Sequence, residues 1–294
     1  MTKTKKNIKN KKNKTCKLRN AEYLQVSDKH KMAYYTYGNK NGKPIFIIHG
    51  GPGGSSKVSF KKYFNLKKHY LVFIDQRGCG KSKPFGELYN NKTKDLIEDI
   101  ERLREHLNLK KIMLFGYSWG SYLSLAYSVK YPENVKKIII GGVYLCSKEE
   151  YNDFENGELL KKIYPDVYDK LGKANFKRTN KNILNNLLRE KYTSKLIPDN
   201  KNITKLSNKD KQETLMYMNY IENDCFSRDL LKNIKKIEDI PLIIVQGRYD
   251  VITPAYYAYK LHKELPKSKL YLTVSGHKLE KEDKEILLKI LKKL

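Results

Sequence analysis

From residue 44 to residue 143 the chain alternates two hydrophobic patterns. Short apolar runs, PIFIIH (44–49), YLVFID (70–75), KIMLFGY (111–117) and KKIIIGGV (136–143), predict strands, the first two continuous and β-branched. That is the signature of strands buried on both faces. Between them TKDLIEDIERLREHLNL (93–109) carries apolar residues at three- and four-residue spacing, which predicts an amphipathic helix. SYLSLAYSVKYP (121–132) predicts a second helix, ended by Pro132. Ahead of this block EYLQV (22–26) and MAYYTYG (32–38) predict two antiparallel strands with a turn at SDKHK (27–31).

Past Cys146 the pattern changes. Residues 147–236 hold no strand of comparable strength and are helical, charged and dotted with aromatics. The strand pattern then returns: IPLIIVQG (240–247) is a strand, TPAYYAYKLHKELP (253–266) a helix, KLYLTVSG (269–276) a strand and KEDKEILLKILKKL (281–294) a closing helix. Strand–helix alternation argues for an α/β fold, a mostly parallel sheet with helices on both faces. The expected organisation is a core of residues 21–146 and 237–294, interrupted by a helical insertion at 147–236. Residues 1–20, Lys/Asn-rich and without periodicity, are expected to be a disordered basic tail.

Composition changes this picture little. The 60 Lys+Arg against 32 Asp+Glu give a formal charge of +28, enough to attract polyanions non-specifically. The charge is spread along the whole chain and is nearly all Lys, not the Arg that reads phosphates bidentately, so no specific nucleic-acid partner is expected. Cys16, Cys79, Cys146 and Cys225 form no CxxC pair and read as thiols in a reducing compartment. The first residues lack an apolar signal core, and no apolar window is long enough to span a membrane. A soluble, cytoplasmic protein is expected, with its oligomeric state open.

Chemistry enters at GYSWG, Gly116–Gly120, which follows an expected strand and opens an expected helix. That is the context of a nucleophile elbow, with Ser118 exposed at the carboxyl end of the sheet. A serine needs a base and a group to orient that base. Downstream of Ser118 stand only two histidines. His262 lies inside a helix, whereas His277 follows a strand on a Gly-containing turn, so His277 is the expected base. Asp250, just after the preceding strand, is the expected acid and completes the order Ser, Asp, His. HGGPGG (49–54) then reads as an oxyanion loop, because glycine lets a backbone N–H approach a reacting carbonyl. The donors are assigned to Gly51 and to Trp119, the residue after the nucleophile; His49 is read as organising the loop.

These residues resemble the proline iminopeptidases, the prolyl aminopeptidase branch of the α/β-hydrolases. LQVSDKHKMAYYTYGNKNGKPIFIIHGGPGG, DQRGCGKSKP (75–84), the helix–strand–elbow segment 93–135, GRYDVITP and SGH all look like segments of that family. The elbow here reads Gly-Tyr-Ser where the family usually has Gly-Gly-Ser. Within the insertion IYPDVYDKL, YTSKLIPD and YIENDCF resemble the family's cap. The resemblance implies an α/β-hydrolase core with a helical cap. It implies a serine aminopeptidase releasing an N-terminal residue, preferentially proline, from small peptides, with no metal or organic cofactor. Glu222, in YIEN, matches the cap carboxylate that grips the substrate's free amine, and Glu190, Asp224 and Asp229 are candidates for a second. An esterase, lipase or amidase on the same fold is the nearest alternative, and a non-catalytic binding protein a more distant one.

Overall fold

The computed structural model describes residues 20–155, 158–163 and 230–294 continuously, and between them 165, 168–169, 212, 215–217, 219–220 and 224. The expected basic tail falls almost wholly outside these residues, as does much of the insertion.

The apolar runs form one eight-stranded sheet: β1 (Glu22–Gln25), β2 (Lys31–Gly38), β3 (Lys43–Ile48), β4 (His69–Asp75), β5 (Ile112–Tyr117), β6 (Val135–Gly141), β7 (Leu242–Gly247) and β8 (Lys269–Thr273). Their order across the sheet is β1-β2-β4-β3-β5-β6-β7-β8. The first hairpin is antiparallel, β2 pairs antiparallel with β4, and every later pairing is parallel. The continuous runs follow from burial on both faces. In β3, Phe46 and Ile48 point into one core while Ile45 and Ile47 point into the other. Tyr70, Val72 and Ile74 alternate with Leu71 and Phe73 in the same way along β4.

Among the described residues the first core is closed by α1 (Thr93–His106), α2 (Trp119–Lys130) and, numbering past two short ones, α5 (Ala255–Glu264), with the short helical turn Leu231–Ile237. On α1 the buried residues Leu96, Ile97, Ile100 and Leu103 repeat at the spacing that the sequence showed. Helix α2 is buried on nearly every side, which is why its sequence lacks a polar face. It stops at Lys130, one residue before the Tyr131–Pro132 step that cannot continue it. The second core is closed by α6 (Lys281–Lys292), through Leu287, Ile290 and Leu291, and by a short turn of helix at Val58–Tyr63.

The short helices α3 (Lys148–Glu155) and α4 (Glu158–Ile163) open the segment between β6 and β7. The start of α3 is fixed by one buried side chain: the Glu150 carboxyl accepts the N–H groups of Leu145 and Cys146 at 2.8 and 3.1 Å, while Ser147 Oγ accepts the Glu150 N–H at 3.1 Å. Cys79 is a buried reduced thiol, but Cys146 is disulfide-bonded, which corrects the reading of all four cysteines as thiols. Pairing between distant cysteines depends on folded proximity, which spacing along the chain does not encode. No helix among the described residues is long and apolar enough to cross a membrane.

Candidate active site

The carboxyl ends of β5, β7 and β8 carry the three side chains that matter. Strand β5 runs straight into α2 through Ser118, whose φ of 57° and ψ of −129° put a non-glycine residue in sparsely populated backbone space. The glycines of GYSWG make this turn possible. A Cβ on Gly116 would lie 2.2 Å from the Gly120 carbonyl oxygen, and one on Gly120 would lie 2.3 Å from that of Ile48. Strand, helix and the HGGPGG loop therefore meet without side chains between them.

His277 bridges the other two. Its Nε2 lies 3.1 Å from Ser118 Oγ, and its Nδ1 lies 2.9 Å from Asp250 Oδ2. The hydrogen-bond network assigns the Nδ1–H donor to Asp250, leaving the Nε2 lone pair for the serine hydroxyl. Asp250 is almost fully buried and is satisfied on both oxygens. Oδ1 accepts the N–H groups of Ile252 and Thr253, each at 2.9 Å, and Oδ2 accepts Thr253 Oγ1 at 2.8 Å and Gln246 Nε2 at 3.1 Å. Such a carboxylate has one fixed orientation. His262, by contrast, sits on α5 with Nδ1 2.6 Å from Ser268 Oγ.

The HGGPGG loop turns over Ser118. A Cβ on Gly50 would come 2.9 Å from the Tyr117 carbonyl oxygen and 3.2 Å from Ser118 Cβ. Gly51 adopts φ +150° ahead of a cis peptide bond to Pro52, and a Cβ there would crowd the N–H groups of Gly53 and Gly54. Gly50 is thus the glycine packed against the serine, a role not distinguishable within a run of four glycines. His49 is buried, and burial lowers its pKa below the usual imidazole value, so the ring is neutral. Its Nε2 accepts the Gln76 N–H at 3.1 Å and its Nδ1 faces the Gly50 carbonyl at 2.8 Å.

Thr253 and Gln246 also touch the constellation and were not singled out from sequence, and Tyr117, noted there only as the middle residue of Gly-Tyr-Ser, touches it as well. Thr253 stands three residues after Asp250, the spacing at which a hydroxyl and an N–H turn back onto an Asp side chain, and this is the one signal that could have found it. Of the carboxylates considered for the substrate amine, Glu222, Glu190 and Asp229 lie outside the described residues. Asp224 is described and engaged elsewhere: its buried carboxylate accepts the Thr93 N–H at 2.6 Å, at the amino terminus of α1. A cavity lined by Lys43, Lys111, Lys136 and Pro241 opens at the amino ends of the strands, the opposite edge of the sheet from Ser118.

The sheet order and the elbow define an α/β-hydrolase, and the family described as alpha/beta hydrolase fold matches residues 43–278. A protein named probable proline iminopeptidase from Leptolyngbya boryana is 38% identical over 87% of this chain and 88% of its own length. A proline iminopeptidase of Neisseria meningitidis is 34% identical over 87% of this chain and 89% of its own. Among solved structures, a proline iminopeptidase-related protein of Thermus thermophilus superposes with a TM-score of 0.65, over 93% of this chain and 96% of its own, at 18% identity, a likeness of fold. The chain belongs to the proline iminopeptidase family of α/β-hydrolases and is, by family, a serine-type hydrolase.

Proposed function

We propose that the protein is a serine aminopeptidase that releases an N-terminal residue, preferentially proline, from small peptides. The observation that carries this reading is the continuous contact Ser118–His277–Asp250, at 3.1 and 2.9 Å, in a chain whose relatives are named proline iminopeptidases. Ser118 Oγ attacks the scissile carbonyl carbon while His277 Nε2 takes its proton. The carbonyl oxygen becomes an oxyanion, held by the N–H groups of Gly51 and Trp119. His277 gives the proton to the departing amine nitrogen and the C–N bond breaks, leaving an acyl-enzyme. Water, deprotonated by the same ring, attacks the ester; the residue leaves as a free amino acid and the proton returns to Ser118. Asp250 orients the ring and stabilises its cation throughout.

The helical segment 147–236 serves as the cap over this site, and Glu222 binds the substrate's ammonium by a charge-assisted hydrogen bond. The test compares L-prolyl p-nitroanilide with its N-acetylated form, with Ser118→Ala as the blank. Cleavage of the free amine alone is expected. Equal cleavage of both forms would turn the reading to an amidase or esterase indifferent to the amine, and cleavage of neither would remove the prolyl preference.

A further inference from the structure

The segment DQRGCG follows β4 and has no part in the chemistry derived above. Its second residue, Gln76, is 3% exposed and lies between the two loops that carry the proposed oxyanion donors. Oε1 of Gln76 accepts the indole N–H of Trp119 at 2.9 Å. Nε2 of the same amide donates to the carbonyl of His49 at 2.9 Å, and the backbone N–H of Gln76 donates to His49 Nε2 at 3.1 Å. One planar group therefore joins the residue that opens α2 to the residue that opens the HGGPGG loop.

The demands on this joint are specific. The oxyanion donors must stand about 2.7–3.1 Å from an oxygen that exists only in the transition state. They come from separate loops, which leave the paired strands β3 and β5 just past the Ile48–Gly116 register and are no longer held by ladder hydrogen bonds beyond it. The indole of Trp119 is hydrogen-bonded at Nε1 and flanked by Tyr122 and Tyr220 at ring-centre distances of 5.2 and 5.1 Å, so the residue is held at both ends. Gln76 is itself fixed by its neighbours. Asp75 accepts the N–H groups of Ser56 and Lys81 at 2.7 and 2.9 Å, and Arg77 forms a two-point contact with buried Asp99 at 2.6 and 2.7 Å. An amide is the side chain that suits the place, since it must accept from an indole and donate to a carbonyl. A carboxylate could do only the first.

We propose that Gln76 is the positioning residue of the oxyanion hole, setting the separation of the Gly51 and Trp119 donors while touching neither substrate nor reacting atoms. This rests on the acyl-transfer reading above, and the test separates the two. Trp119 is the single tryptophan of the chain, so its indole gives one proton–nitrogen resonance that reports the contact without any substrate. Gln76→Met should move that resonance upfield. With prolyl anilide it should lower kcat about 10- to 100-fold, the scale of a donor displaced by a fraction of an ångström, while KM stays within about twofold. Affinity for a prolyl boronic acid, whose adduct with Ser118 is tetrahedral, should fall by the same factor as kcat.

Gln76→Glu should leave the indole resonance near its parental place, because an acceptor remains, and still lower kcat. Should Gln76→Met fail to fold, Trp119→Phe deletes the same bond from the other side, keeps the backbone N–H and should show the same split of kcat from KM. A displaced resonance with unchanged kcat, or kcat and KM moving together, overturns the positioning role. A parent chain that cleaves neither the anilide nor a p-nitrophenyl ester overturns the acyl-transfer reading and the role with it, even where the resonance moves.

Discussion

The phenolic oxygen of Tyr117 donates a hydrogen bond to the backbone carbonyl of His277 over 2.8 Å, and the two rings lie 5.7 Å apart. The residue before the proposed nucleophile is thereby tied to the residue that bears the proposed base. Gly141 and Gly142 make the slot, since a Cβ on either would come within 2.8 or 2.9 Å of the Tyr117 ring. A glycine at position 117 could make neither contact.

Tyr117→Phe should therefore lower kcat for prolyl anilide about fivefold, the kinetic equivalent of one buried hydrogen bond of about 1 kcal/mol. Tyr117→Gly should lower it further and reduce the melting temperature, because the slot is left empty. Steady-state kinetics with parallel thermal melts checks both. Unchanged kcat in the phenylalanine variant would mean that ring packing alone holds the His277 loop.

Asp250 has every acceptor site engaged by an N–H or O–H group. Asp250→Asn puts an amide NH2 among those donors and removes the charge facing His277. Turnover should fall about 10⁴-fold, as when a triad acid is neutralised in place. Ser118→Ala should abolish acyl-enzyme formation, read by mass spectrometry after reaction with an activated ester. Residual turnover in Asp250→Asn close to that of the parent would remove Asp250 from the role of orienting acid.

Gly50→Ala tests the loop. The new methyl would stand 2.9 Å from the Tyr117 carbonyl oxygen, closer than a Cβ tolerates, so the loop or the elbow must shift. Stability should drop by about 1–3 kcal/mol, as for other overpacked sites. Activity should drop more than stability explains, at least about tenfold, because the shift occurs beside Ser118. Denaturant unfolding and kinetics on the same preparation separate the two effects.

Burial raises the pKa of the Glu150 carboxyl well above its ordinary value of 4.5, the backbone N–H groups it accepts offsetting only part of that. The folded state holds this proton more tightly than the unfolded state. The stability it contributes is complete below about pH 4.5 and is lost as pH rises towards the folded pKa. Glu150→Gln lacks that loss, so its melting temperature should gain on the parent's as pH increases from 5 to 9. A difference independent of pH would mean that the carboxyl does not carry its proton into this range.

The fold was legible because burial on both faces leaves a plain trace: β3 to β7 appear as short, largely apolar runs, and Gly116, Ser118 and Gly120 mark where a strand must turn sharply into a helix. The order of Ser118, Asp250 and His277 followed from the ends of those strands. The supporting residues left no such trace. Tyr117 acts through a slot made by glycines on another strand, and Gln76 through two partners on separate loops; neither relation has a period or a spacing. Which glycine of HGGPGG lies against Ser118 depends on the path of the loop, and the disulfide at Cys146 left no mark in the cysteine spacing.

The base proposed here follows the nucleophile by 159 residues, and between them lie β6, β7 and β8 with everything that joins them. A growing chain would thus carry the proposed nucleophile long before it owns the group proposed to activate it. On the proposed roles, a nascent chain would stay without its base throughout translation of residues 119–276, whatever part of its sheet has already assembled. The proposed base is encoded only after β8, so a chain released before residue 277 would lack the group that the proposed acyl transfer requires.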